Sequence, residues 1–291
     1  MTRVLITNDD GVAAPGLRWL ARTAVDTGLD VVVAAPAQET SGTSAAMSAY
    51  TADGRVIIRR HSLPDLDGVP AYGVAASPSY IVVLAMLATF GEPPNLVLSG
   101  INRGANAGRA VLHSGTVGAA LTAAAYSIPA MAVSLDVLSP ASELNTGGTA
   151  ATSGNALEFL DTVDDEARNW GSAAAMVPDL LHALDDAPAG TVLNLNVPDL
   201  PAERVRGLRR ASLARFGQVQ MAVAETGEDF VRMAVEQSRG EAVPGTDLAW
   251  LSERYATITA IRPPSEVEDV AVPGVPLDAD HEAVPGRPGL H

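Results

Sequence analysis

Residues 4–11 read VLITNDDG and residues 31–36 read VVVAAP, the latter running into the polar stretch AQETSGTS. A short, unbroken apolar run that stops abruptly at polar residues is how a strand buried on both faces reads. Between the two runs, Pro15 opens a helix reaching to about Thr27, with Leu17, Leu20, Ala21 and Ala24 along one face. Strand, helix and strand at this spacing form a βαβ unit, whose strands are parallel.

The same pattern continues outward. NLVLSG at Asn95–Gly100 is a further buried strand, followed by the glycine-rich INRGANAGRAVLHSGT and a small-residue helix starting near Thr116. AMAVS at Ala130–Ser134 predicts another strand, Gly154–Ala167 a helix, and TVLNLNVPDL at Thr191–Leu200 a last core strand with its proline at the end. At least five parallel-type strands with helices between them require helices on both faces of one central sheet. Past Pro201 the runs shorten and alternate, as in QVQMAVAE and YATITAI, which predicts antiparallel pairing. The last twenty or so residues are rich in Pro, Gly and acids, and a loosely ordered tail is expected there. The expected organisation is one α/β domain over 1–291: a core over 1–200, a C-terminal extension over 201–262 and a tail over 263–291. No internal repeat is evident.

Composition narrows the chemistry. The chain has 291 residues and no cysteine, which removes thiol nucleophiles, zinc–thiolate sites and disulfides. Nineteen basic residues against 34 acidic ones give a formal net charge of −15, so polymeric nucleic acid is not expected as a stable partner. Every basic residue is arginine, and a Schiff-base lysine or a Walker lysine is therefore absent. The first residues lack a basic region followed by a long apolar run, and the longest apolar stretch, Tyr80–Phe90, is too short to span a bilayer. A cytoplasmic protein without a membrane partner is the expectation.

Asp9 and Asp10 follow the first strand directly, at the C-terminal sheet edge where open α/β folds place their ligands. Adjacent carboxylates repel unless a cation or an arginine neutralises them. Ser41 and Asn102 lie just past the ends of other strands and can converge with the pair, completing an all-oxygen set suited to Mg2+, Mn2+ or Ca2+. The alternative reading of each is local: an Asx turn into Gly11, or turn and cap residues. The loop from Gly100 to Thr116 carries Asn102, Asn106, Ser114, Gly115 and Thr116 around its glycines, and its SGT stands at a helix start, an arrangement suited to a phosphoryl group. It matches neither the dinucleotide nor the P-loop fingerprint. His113 beside Ser114 lacks the G-x-S-x-G context of a serine hydrolase.

Taken together, VLITNDDG, APG at 14–16, VVAAP with SGTS, VLSGINRGANAG, VLHSGTVGAA, IPAMAVS, LNLNVPDL and GTDLAWLSERYATITAI resemble the SurE family of metal-dependent 5′/3′-nucleotidases over roughly residues 3–262. The resemblance implies a three-layer α/β/α sandwich with a Rossmann-like, mostly parallel sheet, and a C-terminal part that joins subunits into a homodimer or homotetramer. It implies one divalent cation per subunit, Mg2+ or Mn2+ with Ca2+ as a stand-in, held by Asp9, Asp10, Ser41 and Asn102. Asn102, Asn106, Ser114, Gly115 and Thr116 then surround the phosphate of a nucleoside 5′- or 3′-monophosphate. The expected reaction is hydrolysis by a metal-activated water, with Asp9 or Asp10 as its base.

The sequence departs from the family pattern around this centre. Tyr80 stands where an aspartate is usual, Arg109 and Ala110 replace two acids, and His113 replaces a tyrosine, so Tyr80, Arg109 and His113 are candidate substrate-pocket residues. The alternatives are a phosphatase for another small phosphorylated metabolite, with reshaped loops, and a non-catalytic anion-binding protein.

Overall fold

Past its first residue, β1 (Arg3–Thr7) is entirely buried, and it lies at the centre of the sheet. The computed structural model describes residues 1–40, 44–49, 51–138, 164–216, 219–227, 229–237 and 243–266. α1 (Pro15–Asp26) follows, with Pro15 in its first turn and Leu17, Leu20, Ala21 and Ala24 buried as their spacing predicts. Next come β2 (Asp30–Pro36), the short pair β3 (Thr51–Ala52) and β4 (Arg55–Val56), β5 (Ile58–His61) and β6 (Ala71–Val74). α2 (Pro78–Met86) is the apolar run near Tyr80, and β7 (Leu96–Arg103) leads through a 3-10 turn at Gly108–His113 into α3 (Gly115–Ala125). β8 (Ala130–Asp136) and β9 (Val192–Pro198) flank the helices Trp170–Ala174 and Val177–Asp185. Then follow β10 (Leu208–Arg210), the hairpin of β11 (Val219–Thr226) and β12 (Val231–Gln237), a helix at Asp247–Ser252, and β13 (Ala256–Ile261).

Among the described residues, the main sheet has nine strands in the order β10-β13-β9-β8-β7-β1-β2-β6-β5. From β9 across to β6 every pairing is parallel, whereas β13 on β9 and β5 on β6 are antiparallel. Successive side chains of a strand point to opposite faces, and β1 shows it: Val4 and Ile6 join one apolar cluster and Leu5 the other. The first cluster is covered by α1 and the helices near Trp170 and Leu180, the second by α2 and α3. The fold is thus a mostly parallel α/β/α sandwich, as the sequence implies.

The chain winds outward from β1 through β2 to β6, then returns to place β7 on the other side of β1. That reversal makes the gap between the C-terminal ends of β1 and β7 the topological switch point, the usual crevice for a ligand.

Two stretches past residue 200 behave differently from each other. Val219–Thr226 pairs antiparallel with β12 in a separate two-stranded sheet, whereas Ala256–Ile261 joins the main sheet beside β9. Of the helix expected over Gly154–Ala167, only the end is described, as a 3-10 turn at Asp165–Ala167. The expected tail lies outside the described residues apart from its first few positions.

Candidate functional site

The turn after β1 is fixed by Asn8, whose side chain donates to the carbonyl of Gly11 and accepts from its amide, both at 3.1 Å. Gly11 has φ +103°, a backbone that side-chain-bearing residues rarely adopt, so the Asp-Gly step closes the turn. This presents Asp9 and Asp10 side by side at the switch point.

Asp9 is buried and is met by the start of α3. Its Oδ2 accepts from the Gly115 amide at 3.1 Å, and its Oδ1 accepts from the Thr116 hydroxyl. A side chain at position 115 would place Cβ 2.7 Å from that Oδ2, so only glycine lets the helix end approach this closely. The Thr116 hydroxyl also lies 3.4 Å from Asn102 Oδ1, tying β1, β7 and α3 to one point. Asp10 is half-buried, and its Oδ2 accepts from the Arg103 amide at 3.1 Å.

Both carboxyls are held above the ordinary carboxylate range. For Asp9 the cause is burial, opposed by the Thr116 hydroxyl and by backbone amides including Gly115. Asp10 is raised well above that range, first by burial and then by the charge of Asp9, with Glu39 adding to it and Arg103 opposing it. The fold therefore disfavours the charged form of both carboxyls.

The loop behind this pair is anchored by residues that its own sequence does not reveal. The Asn106 amide donates to Asn196 Oδ1 at 2.7 Å, and the Asn106 carbonyl accepts from Asn194 Nδ2 at 2.8 Å and Asn196 Nδ2 at 3.0 Å. Asn106 Nδ2 donates to Ser134 Oγ at 2.9 Å. The signal for this ladder was present in LNLN: two asparagines alternating with leucines on a strand buried on both faces demand polar partners. Asn102 Nδ2 donates to the Gly104 carbonyl at 2.7 Å, which fixes its Oδ1 toward Thr116.

Each candidate residue can now be placed. Asp9, Asp10, Asn102, Gly115 and Thr116 converge. Ser114 caps α3, its Oγ accepting from the Val117 amide at 3.0 Å, and Asn106 is bound into the loop's foundation. The Gly115 amide at the start of α3 is directed at Asp9. Ser41 lies outside the described residues. Arg109 and His113 are exposed on the 3-10 turn, whereas Tyr80 is partly buried on α2 and packs against the second apolar cluster.

A cavity of about 390 Å3 opens over the ends of β2 and β6, and neither Asp9 nor Asp10 lines it. Its wall includes Ala37, Gln38, Glu39, Thr40, Ile57 and Arg59, and neither Tyr80, Arg109 nor His113 lines it. Thr40 joins it to the site, since its amide donates to the Asp9 carbonyl at 2.8 Å. Among the described residues, no helix is long and apolar enough to cross a membrane.

The family model described as Survival protein SurE matches residues 4–222. The chain is 31% identical over 265 residues to the 5′/3′-nucleotidase SurE of Shigella dysenteriae, with 89% of this chain and 90% of that protein covered. It is 32% identical over 267 residues to the 5′-nucleotidase SurE of Alkalilimnicola ehrlichii, with 90% of each covered. The crystal structure of the SurE protein from Aquifex aeolicus superposes with a TM-score of 0.64 at 24% identity, covering 89% of this chain and 93% of that one, and supports the fold. A family match across most of the chain and near-complete coverage of relatives above 30% identity agree with the NDDG turn at the switch point: this chain belongs to the SurE family.

Proposed function

We propose that this chain is a phosphomonoesterase that hydrolyses nucleoside monophosphates, with one divalent cation held by Asp9, Asp10, Asn102 and Ser41. The observation that carries the reading is the carboxylate pair at the switch point, both raised by burial and Asp10 also by the charge of Asp9, with Asp9 joined through Thr116 to Asn102. The donor set fits a hard cation. Two carboxylates with the neutral oxygen of Asn102 nearby suit Mg2+ or Mn2+ bound jointly with a substrate phosphate. When bound, the cation offsets the two charges, polarises phosphoryl oxygens and acidifies a water.

The chain's own groups do the rest. The α3 amide and Thr116 hold Asp9 in one orientation, so it needs no reorganisation when the substrate arrives. Asp10, held through Oδ2 by the Arg103 amide, is assigned as the base that receives a proton from the attacking water. The hydroxyl of Ser114 accepts from the Val117 amide and retains its own proton to donate to a phosphoryl oxygen. Exposed Arg109 and His113 add donors at the rim for anionic groups on the substrate. Phosphate release from nucleoside, sugar and aromatic monophosphates, with Mg2+ or Mn2+ and then with a chelator, tests the proposal. Release unaffected by exhaustive chelation would sink it.

The 390 Å3 cavity has the volume of a small-molecule site, and we assign it to the nucleoside leaving group. Ala37 is an exposed residue of its wall, so Ala37→Trp fills the space without disturbing the core. The expected result is a loss of about tenfold in kcat/KM for nucleoside monophosphates, or ~1.4 kcal/mol, with glycerol phosphate unaffected. Equal losses on both substrates would contradict the assignment.

Among the described residues, the antiparallel hairpin β11–β12 forms its own two-stranded sheet, and a two-stranded sheet has little core of its own. A homodimer or homotetramer is the proposed assembly. Sedimentation at micromolar concentration should show a species well above the 29.9 kDa chain mass, and a sole species at that mass contradicts it.

A further inference from the structure

One buried carboxylate stands outside the chemistry proposed above. Asp247 is the first residue of the short helix Asp247–Ser252 and has no exposed surface. Its Oδ2 accepts from the Gly108 amide at 2.7 Å, and its Oδ1 accepts from the amides of Ala214 and Leu248, each at 2.9 Å. Its own amide donates to the Ser212 carbonyl at 2.9 Å. Three segments distant in sequence are therefore stitched at one side chain.

The place of these bonds matters more than their number. Gly108 opens the 3-10 turn that carries Arg109 and His113, and the turn ends at Ser114, which caps α3 where Gly115 meets Asp9. Position 108 is crowded from the other side: φ is +61°, and a Cβ there would lie 2.1 Å from the Phe216 carbonyl oxygen. The Arg109 amide also donates to the Ala214 carbonyl at 3.0 Å. Ala214–Phe216 in turn lead toward the hairpin that begins at Val219.

We infer that Asp247 is a positioning residue that clamps the Gly108–His113 turn to the root of the hairpin, so that phosphate binding at the loop and ordering of the hairpin root reinforce each other. The inference rests on the reading of this loop as part of the phosphate site. A hydrogen-bonded carboxylate accepting from both segments lets either one order the other, and such coupling is reciprocal.

The test compares D247N with T246A in the full chain. D247N turns one acceptor oxygen into a donor that faces an amide N–H, whereas T246A removes the Thr246 cap of the same helix and leaves the clamp intact. Hydrogen exchange at Gly108–His113 and binding of inorganic phosphate in the presence of Mg2+ are the readouts. D247N should speed exchange across the turn and weaken phosphate binding tenfold or more. With a monophosphate substrate, KM should rise by a similar factor while kcat moves less than threefold. T246A should lower thermal stability yet keep the parent exchange and phosphate affinity. Should D247N fail to fold, the parent decides: phosphate must slow exchange at Gly108 and Ala214 together, because one carboxylate accepts from both. Phosphate without effect on either amide, protection of the loop alone, or D247N indistinguishable from T246A overturns the inference. If the parent hydrolyses no ester, the enzymatic reading falls, while the exchange and phosphate measurements still decide the clamp.

Discussion

Asp10→Asn should abolish metal-dependent turnover and, in the metal-free protein, raise the melting temperature at neutral pH. The loss of activity follows from removing the base together with one of two carboxylate ligands, an effect expected to reach about a thousandfold in kcat/KM, or ~4 kcal/mol. The gain in stability follows from the electrostatics. Folded, Asp10 has its pKa well above the unfolded value of 3.8 because burial and Asp9 disfavour its charge. Between those two values the folded state binds more protons than the unfolded one, so stability falls as pH rises through that window, and the penalty is complete above the folded value. Well below the unfolded value of 3.8 the carboxyl is protonated in both states and the penalty vanishes. The difference in melting temperature between variant and parent should therefore be small near pH 4 and grow toward neutrality. Adding Mg2+ should raise the melting temperature of the parent more than that of the variant, because a cation that binds only the folded state stabilises it by mass action. Scanning calorimetry with chelator and with Mg2+ across this pH range measures all three quantities. A variant less stable than the parent at pH 7 without metal would show that the carboxylate is already compensated by the fold.

Gly16→Ala should produce a large loss of stability for a single added methyl group. Gly16 lies in the first turn of α1, and a Cβ there would stand 2.0 Å from the Ile101 carbonyl oxygen and 2.9 Å from Trp170 Cζ3. A backbone oxygen cannot swing aside as a side chain can, so either α1 or the end of β7 has to move. Overpacking of this kind costs about 3 kcal/mol, which lowers the melting temperature by roughly 6–12 °C in a chain of this size. Asn102 and Arg103 follow Ile101 directly, so turnover should fall along with stability. Gly28→Ala provides the comparison: nothing lies within 4 Å of a Cβ there, but φ is +82°, and the cost should be confined to about 1 kcal/mol of backbone strain. If Gly16→Ala melts within 2 °C of the parent, the close contact of α1 with β7 is not obligatory.

Much of the core was legible because buried parallel strands and amphipathic helices carry local patterns. The run from Val4 to Thr7, the apolar face of Leu17, Leu20, Ala21 and Ala24, and the Asp-Gly turn each report their own conformation. Asp9, Asp10 and Asn102 were legible for a related reason: strand-end loops of a parallel sheet share one edge, so polar residues placed there meet however far apart they are in sequence. Less legible was what each polar group binds. The start of α3 reads as an anion cradle, but the same helix end serves Asp9, because the absence of a side chain at Gly115 lets the carboxylate in. YATITAI and QVQMAVAE share one alternating pattern, yet Ala256–Ile261 joins the main sheet beside β9 and Val219–Thr226 forms a separate hairpin with β12. Strand pattern states which residues alternate and not which neighbour supplies the hydrogen bonds. The sequence by itself therefore determined the parallel α/β core and the sheet edge at which the oxygen-bearing side chains of Asp9, Asp10 and Asn102 gather. Only the tertiary structure decided that Asn194, Asn196 and Asp247 hold the loop, because a buried polar side chain takes its meaning from partners brought close by the fold from as far as 139 positions away.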